Sequence, residues 1–251
     1  MNVPHVEECP SMIDLTRSRA RFQDPLKLIP RVLRRLHTEW LRLSYPFASM
    51  GSNVSIHPNC FIDRKNAHRI KLGNNVSIEK DTCLGLSVSP EEEGEPVIVI
   101  DDNCVIHWRS QIGAKNYIHI ERDVIVAQDV LIVDQNHAYE DVTRPIAEQG
   151  FTKGGKIRIG QGSFIAHGAS IVCSRGELVL GRNCFVAAHA IVIKSAPPYS
   201  VLYGNPAEVI RQFDPARQEW VMGSVRPVKN ECAKNGDNAV QPAPAQQVPF
   251  A

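Results

Sequence analysis

Residues 120–132 read Ile-Glu-Arg-Asp-Val-Ile-Val-Ala-Gln-Asp-Val-Leu-Ile, with an aliphatic residue at Ile120, Val126 and Ile132 and a compact one at Val124 and Val130. The same six-residue beat runs through Met50, Ile56, Ile62; Leu72, Ile78, Leu84; Ile100, Ile106, Ile112; Ile159, Ile165, Ile171; and Leu180, Val186, Val192. Inside each triplet the spacing is six; between triplets it breaks to ten, sixteen, eight, twenty-seven and nine residues. A six-residue period is the signature of a parallel β-helix, each unit being a short strand plus a turn. Grouping in threes predicts a three-sided column with the aliphatic residues inside. Gly, Asn and Asp follow the aliphatic position, as in Leu72-Gly73-Asn74-Asn75 and Leu180-Gly181-Arg182-Asn183; these types accept the left-handed backbone of a tight corner. Every break follows a third unit, so every insertion should leave from one corner.

Composition sets the bounds. The chain has 251 residues with 28 basic and 27 acidic side chains, one domain with tails and no electrostatic footprint for nucleic acid. The longest purely aliphatic run, Val97–Ile100, is far too short to span a bilayer. The N-terminus lacks the basic-then-apolar layout of a secretion signal, which makes a cytoplasmic location the expectation. Seven cysteines, an odd number, make no disulfide framework. Cys60, Cys104 and Cys184 occupy the compact corner position, where a thiol acts as a small hydrophobe.

Outside the ladder, residues 1–49 form an N-terminal extension. Asp24-Pro25 reads as a helix start, Pro30 as an interruption, and Leu33, Leu36, Trp40 and Leu43 recur at helical spacing among Arg31, Arg34, Arg35 and Arg42 up to Tyr45-Pro46. This basic amphipathic helix either caps the open first coil or touches a membrane surface; the need of a solenoid to cover its ends favours the cap. Glu91, Glu92, Glu93 and Glu95 mark a solvated loop. After Val192 the chain should leave the sheet through Ala196-Pro197-Pro198, with a short helix near Pro215–Met222 and a disordered tail from Pro227, together residues 213–251.

The hexads, the insertion Asp134–Gly155 with Asn136-His137, and the closing Tyr203-Gly204-Asn205-Pro206-Ala207 resemble the hexapeptide-repeat acyltransferases, most nearly those acetylating sugars and cell-surface polysaccharides, over roughly residues 50–212. The resemblance implies an all-β, left-handed parallel β-helix of about six coils, a homotrimer with active sites between subunits, acetyl-CoA as donor and a sugar or glycan acceptor.

It also implies site residues. Acyl transfer to a hydroxyl needs a base, and histidine has a suitable pKa. His137 matches the family's catalytic position in loop 134–155. Glu148 is the preferred orienting partner, ahead of Asp134 and Asp141. Ala166, His167, Ala188, Lys194 and Arg211 match donor-groove positions; Lys194 and Arg211 would meet phosphates or else be ordinary solvated charge. His107, Trp108 and Arg109, with Asn136, fall where acceptor contacts belong, Trp108 being either a sugar platform or a cover for the trimer seam. No metal site is expected. The chain departs from the family at Phe164-Ile165-Ala166 and at Val186-Ala187-Ala188-His189-Ala190, where side chains replace turn glycines and could narrow the groove. Two other readings stand beside O- or N-acetyl transfer: a zinc carbonic anhydrase on a similar β-helix, disfavoured because no His pair has the five-residue spacing, and a non-catalytic assembly or glycan-binding protein.

Overall fold

The computed structural model describes residues 28–87 and 94–223. The chain winds through three parallel sheets. Face one carries Ser49–Met50, Ile70–Leu72, Ile98–Ile100, Tyr117–Ile120, Gly154–Ile159 and Arg175–Leu180. Face two starts with Ser55–Ile56 and rises through Ser77–Ile78, Val105–Ile106, Ile125–Val126, Phe164–Ile165 and Phe185–Val186; face three rises from Phe61–Ile62 to Ile191–Val192. Each hexad residue pairs with its counterpart one coil away, for example Ile56 with Ile78 and Ile132 with Ile171. Of the eighteen inward aliphatics, all but Met50 are buried. Face one is wider than the period alone announces: Ile70, Ile98, Ile118, Ile157 and Leu178, two residues before the hexad position, also point in and are buried.

The corners explain the turn residues. Between faces one and two, Asn53, Asn75, Asn103, Asp123 and Asn183 hold positive φ between 54° and 61°, and the side chains of the first four form a ladder. Asn53 donates to Asn75 at 2.8 Å, Asn75 to Asn103 at 2.9 Å, and Asn103 to Asp123 at 2.9 Å. Each coil thus sets the corner of the next. Burial pushes the corner thiols up, Cys60 and Cys184 to about 11 and Cys104 to about 12, so these cysteines are packing residues rather than nucleophiles. Every insertion leaves from the corner between faces three and one.

Three expectations need correction. Helix α1 spans Leu28–Ser44 and runs through Pro30, because Pro30 lies in its first turn, where no N–H is required; the proposed start at Asp24-Pro25 lies outside the described residues. Second, the sheet does not end at Pro197-Pro198. Ala196 bridges to Leu180, and Ser200–Gly204 joins face two beside Phe185–Val186. The two prolines only turn the corner, and Ala196 and Leu202 continue the six-residue spacing. Third, Glu219–Met222 is a strand, not a helix: it pairs antiparallel with Ala207–Asp214, which itself pairs back on Ser200–Gly204. The segments 1–27, 88–93 and 224–251, which include Glu91, Glu92 and Glu93 of the acidic run and the expected tail, lie outside the described residues.

Helix α1 covers the lower rim of coil one. The Thr38 hydroxyl accepts from the edge N–H of Ile56 at 3.0 Å, Arg42 donates to the carbonyls of Met50 and Gly51, and Leu41 is buried against the core. Arg34 reaches Glu79 at 3.0 Å. Orphan edge groups find partners in this way.

Candidate active site

The insertion between Leu131–Val133 and Gly154–Ile159 starts as a narrow ribbon. Ala138 N–H donates to Gly150 at 3.0 Å, Thr152 N–H donates to Asn136 at 2.8 Å, and His137 faces Phe151 in an antiparallel bridge. The two rings lie 4.7 Å apart. The base of the ribbon is pinned by a single buried carboxylate. Asp134, fully buried, accepts the backbone N–H of Lys115 at 2.7 Å, Asn116 at 2.7 Å and Tyr117 at 2.8 Å. Three N–H donors face it; burial pushes its carboxyl up, the N–H groups work against that, and the net direction is upward. The other strand of the ribbon is tied in turn: Lys115 Nζ donates to Thr152 and Asn116 Nδ2 to Lys153.

Asp134 therefore holds the loop rather than the imidazole. Among the described residues nothing hydrogen-bonds to the His137 ring, and its one ring contact is Phe151. Glu148 ends a short 3-10 turn, exposed, with no hydrogen bond joining it to His137. Asp141 is occupied by Thr143. The loop tip is tied to itself, Gln149 donating to the carbonyls of Asp141 and Arg144. It displays Val142, 94% exposed, with Tyr139, Ile146 and Phe151 also open to solvent.

Alternation along the ribbon puts Asn136 and Thr152 on the face opposite His137 and Phe151. Asn136 and Thr152 line a cleft of about 490 Å³ with Tyr139, Lys153 and Arg175; Asn136 also lines a second of about 330 Å³ that reaches Lys194. The structure so joins Asn136 to Lys194 and not to His137. Arg175, on both clefts, was missed by sequence reading; its signal was the break between Ile171 and Leu180, an insertion at the same corner as the His137 loop.

The other expected residues sit on a different edge. His107, Trp108, Arg109, Ala166, His167 and Ala188 all occupy the corner between faces two and three. There Arg109 grips Asp129 through two bonds of 2.6 Å, His167 Nδ1 lies 3.4 Å from Asp129, and the His167 and His189 rings meet edge-on at 5.0 Å. The Arg109 guanidinium holds the Asp129 carboxyl below the usual carboxylate range. Lys80 stands 5.8 Å over the Trp108 ring. Arg109 and His189 hold positive φ of 58° and 57°, and the His189 ring fills the space over Gly168. Lys194 pairs with Glu208 at 3.5 Å, and Arg211 lies exposed on Ala207–Asp214. Within one chain, the His137 loop and the Trp108–His167 column occupy separate corners. Among the described residues no cluster of three or more His, Cys, Asp or Glu could hold a metal, and no helix is long and apolar enough to cross a membrane.

No protein-family model matches the chain. Its sequence is 28% identical over 164 residues to Rv3034c of Mycobacterium tuberculosis, named a probable acetyltransferase, covering 64% of this chain and 49% of that one. It is 22% identical over 168 residues to WbbJ of Escherichia coli K12, named for O-acetyl transfer in lipopolysaccharide biosynthesis, covering 64% and 84%. In sequence, then, the chain is similar to proteins named as acetyltransferases. The match spans about half the length of Rv3034c. Its fold is shared with AntD, an N-acyltransferase from Bacillus cereus solved with dTDP and 3-hydroxybutyryl-CoA, at a TM-score of 0.55, 20% identity and coverage of 69% of this chain and 86% of AntD.

Proposed function

We propose that this protein is an acetyl-CoA-dependent acetyltransferase that moves an acyl group to a hydroxyl, or an amino group, of a sugar or glycan precursor. The observation that carries the reading is the His137 ribbon: an imidazole raised clear of its own column on a loop whose base is fixed by Asp134. The relatives named as acetyltransferases and the CoA bound by AntD support the reaction class and the donor.

His137 takes the proton from the acceptor as its oxygen or nitrogen bonds to the acyl carbon, and returns that proton to the departing thiolate. The proton count is closed and no covalent enzyme intermediate is needed. A backbone N–H at the corner between faces two and three would hold the acyl oxygen as it becomes negative. The donor would lie along that corner, where Ala166 and Ala188 leave room and His189 restricts it, with Lys194 and Arg211 toward its phosphates. Bound acetyl-CoA supplies the activated acyl group.

Assembly would reconcile the separate corners. In a trimer of left-handed columns, the His137 loop of one subunit would reach the Trp108–His167 corner of the next, and Glu148 or a partner carboxylate would then orient the ring. The outward side of face two supports such an assembly. Val105, Ile125, Phe164 and Phe185 line up there coil above coil, with the two Phe rings stacked at 5.6 Å. An apolar column of this kind on a solvated face is an interface signature. Release of free CoA from acetyl-CoA, measured with a panel of hydroxyl and amino sugars and sugar nucleotides, tests the reading. His137→Ala should lower turnover by about 10²-fold or more with the fold and oligomeric state unchanged. Equal turnover of the variant removes His137 from the mechanism, and no CoA release with any acceptor favours the non-catalytic alternative.

A further inference from the structure

Helix α1 has two opposite faces, and among the described residues only one is buried against the column, the Trp40 ring on the other meeting just His37 and the edge of Tyr45. At 100° per residue, Arg34, Thr38 and Leu41 fall on the side against coil one, where Thr38 and Leu41 are buried. The other side carries Ile29, Leu33, Leu36, Trp40 and Leu43, with exposures of 71%, 57%, 62%, 56% and 86%. That is a continuous apolar stripe on a helix fixed in place by Thr38, Arg34 and Arg42. Because α1 closes the lower rim of the column, the stripe points away from the β-helix.

Charge selects the occupant. Arg35 is exposed on the flank of α1 and Arg31 in its first turn, and Arg64 and Lys65 are exposed beside Leu43 around a groove of about 460 Å³. The one acidic residue of the helix, Glu39, is paired with Arg42. Two copies packed stripe to stripe would bring these cations together. A surface that offers apolar depth and negative headgroups satisfies both features, and Trp40 in mid-stripe has the amphipathic ring that settles at such a boundary. We propose that α1 docks this end of the protein on an anionic lipid surface, with Ile29, Leu33, Leu36, Trp40 and Leu43 in the acyl region and Arg31, Arg35, Arg64 and Lys65 at the phosphates. The cap role and the docking role use different faces of one helix and coexist.

Flotation of the full chain with vesicles tests this. The protein should rise with vesicles of equal phosphatidylcholine and phosphatidylglycerol, stay below with phosphatidylcholine alone, and be released by high salt. Arg31→Ala/Arg35→Ala should reduce partitioning about thirtyfold. Leu36→Glu/Trp40→Glu should abolish it with circular dichroism and thermal midpoint unchanged; Leu43→Glu, at the most exposed position of the stripe, serves if that double variant unfolds. Wild-type protein that stays in the soluble fraction with both vesicles overturns the proposal. So does a Leu36→Glu/Trp40→Glu variant that floats as well as wild type. Loss of a higher oligomer in Leu36→Glu without any vesicle binding would assign the stripe to a second copy of this chain instead.

Discussion

Replacing Asp134 by Asn removes one charge and turns one acceptor into a donor at the base of the His137 loop. In the native arrangement Oδ1 takes the Lys115 N–H and Oδ2 takes those of Asn116 and Tyr117. With the amide oxygen at the Oδ2 place, two bonds survive as neutral ones and the new NH2 faces the Lys115 N–H. Losing one buried bond and leaving its donor without an acceptor costs about 1–3 kcal/mol, and weakening two charge-assisted bonds costs about 1 kcal/mol each. Burial already disfavours the carboxylate, so part of this is returned when the charge goes, leaving a net loss of about 2–4 kcal/mol. Urea denaturation followed by circular dichroism measures it. Turnover should fall while the KM for acetyl-CoA changes little, since the pinned turn positions the loop and the donor corner is elsewhere. A variant within about 0.5 kcal/mol of wild type, or one with unchanged turnover, would refute the idea that this carboxylate sets the loop.

Other expectations follow from the lower rim. Thr38→Val leaves the Ile56 N–H without its acceptor and should cost about 1–3 kcal/mol, with faster hydrogen exchange at the Ile56 amide; unchanged exchange would mean that α1 does not cap coil one in solution. For Glu79, burial pushes the carboxyl up, but the hydrogen bonds and charge of Arg34 and the Ser77 hydroxyl outweigh it, and the net direction is down. A lowered folded pKa contributes stability above the ordinary carboxylate value and loses it as pH falls through the folded one. The stability gap between wild type and Glu79→Gln should then close on strong acidification; with both side chains about a quarter exposed, the gap is no more than about 1 kcal/mol at neutral pH. A gap that is independent of pH would contradict the pairing with Arg34. In the core, Ile120→Ala should cost about 2–5 kcal/mol by thermal or urea unfolding, because Ile120 is wholly enclosed; a smaller loss would mean that the coils collapse around the gap.

Most of the column could be read from residue order because its period is enforced locally. An inward aliphatic every six residues and an Asn or Asp in the left-handed corner are demands that each coil makes on its own sequence. Where demands are weaker the reading failed. Pro197-Pro198 looked like the end of the sheet, yet Ala196 and Leu202 kept the spacing and the prolines needed only to turn a corner. Pro215–Met222 carries no period that decides between helix and strand, and pairing with Ala207–Asp214 makes Glu219–Met222 a strand, a long-range choice that propensity does not carry. The site was legible in part. Loop length and one His marked the ribbon, but the role of Asp134 depends on three backbone N–H groups of the previous coil, which no side-chain pattern announces. Nor does spacing tell that Arg175 shares clefts with Asn136.

The central claim is that His137 of one subunit serves the corner of another, and subunit mixing tests it most directly. His137→Ala lacks the base; Ala188→Trp blocks the donor corner between faces two and three; each should be inactive alone. Co-assembled in equal amounts, they should recover about a quarter of wild-type turnover, because about that share of interfaces joins an intact loop to an intact corner. Mixed particles as inactive as either parent would contradict the account.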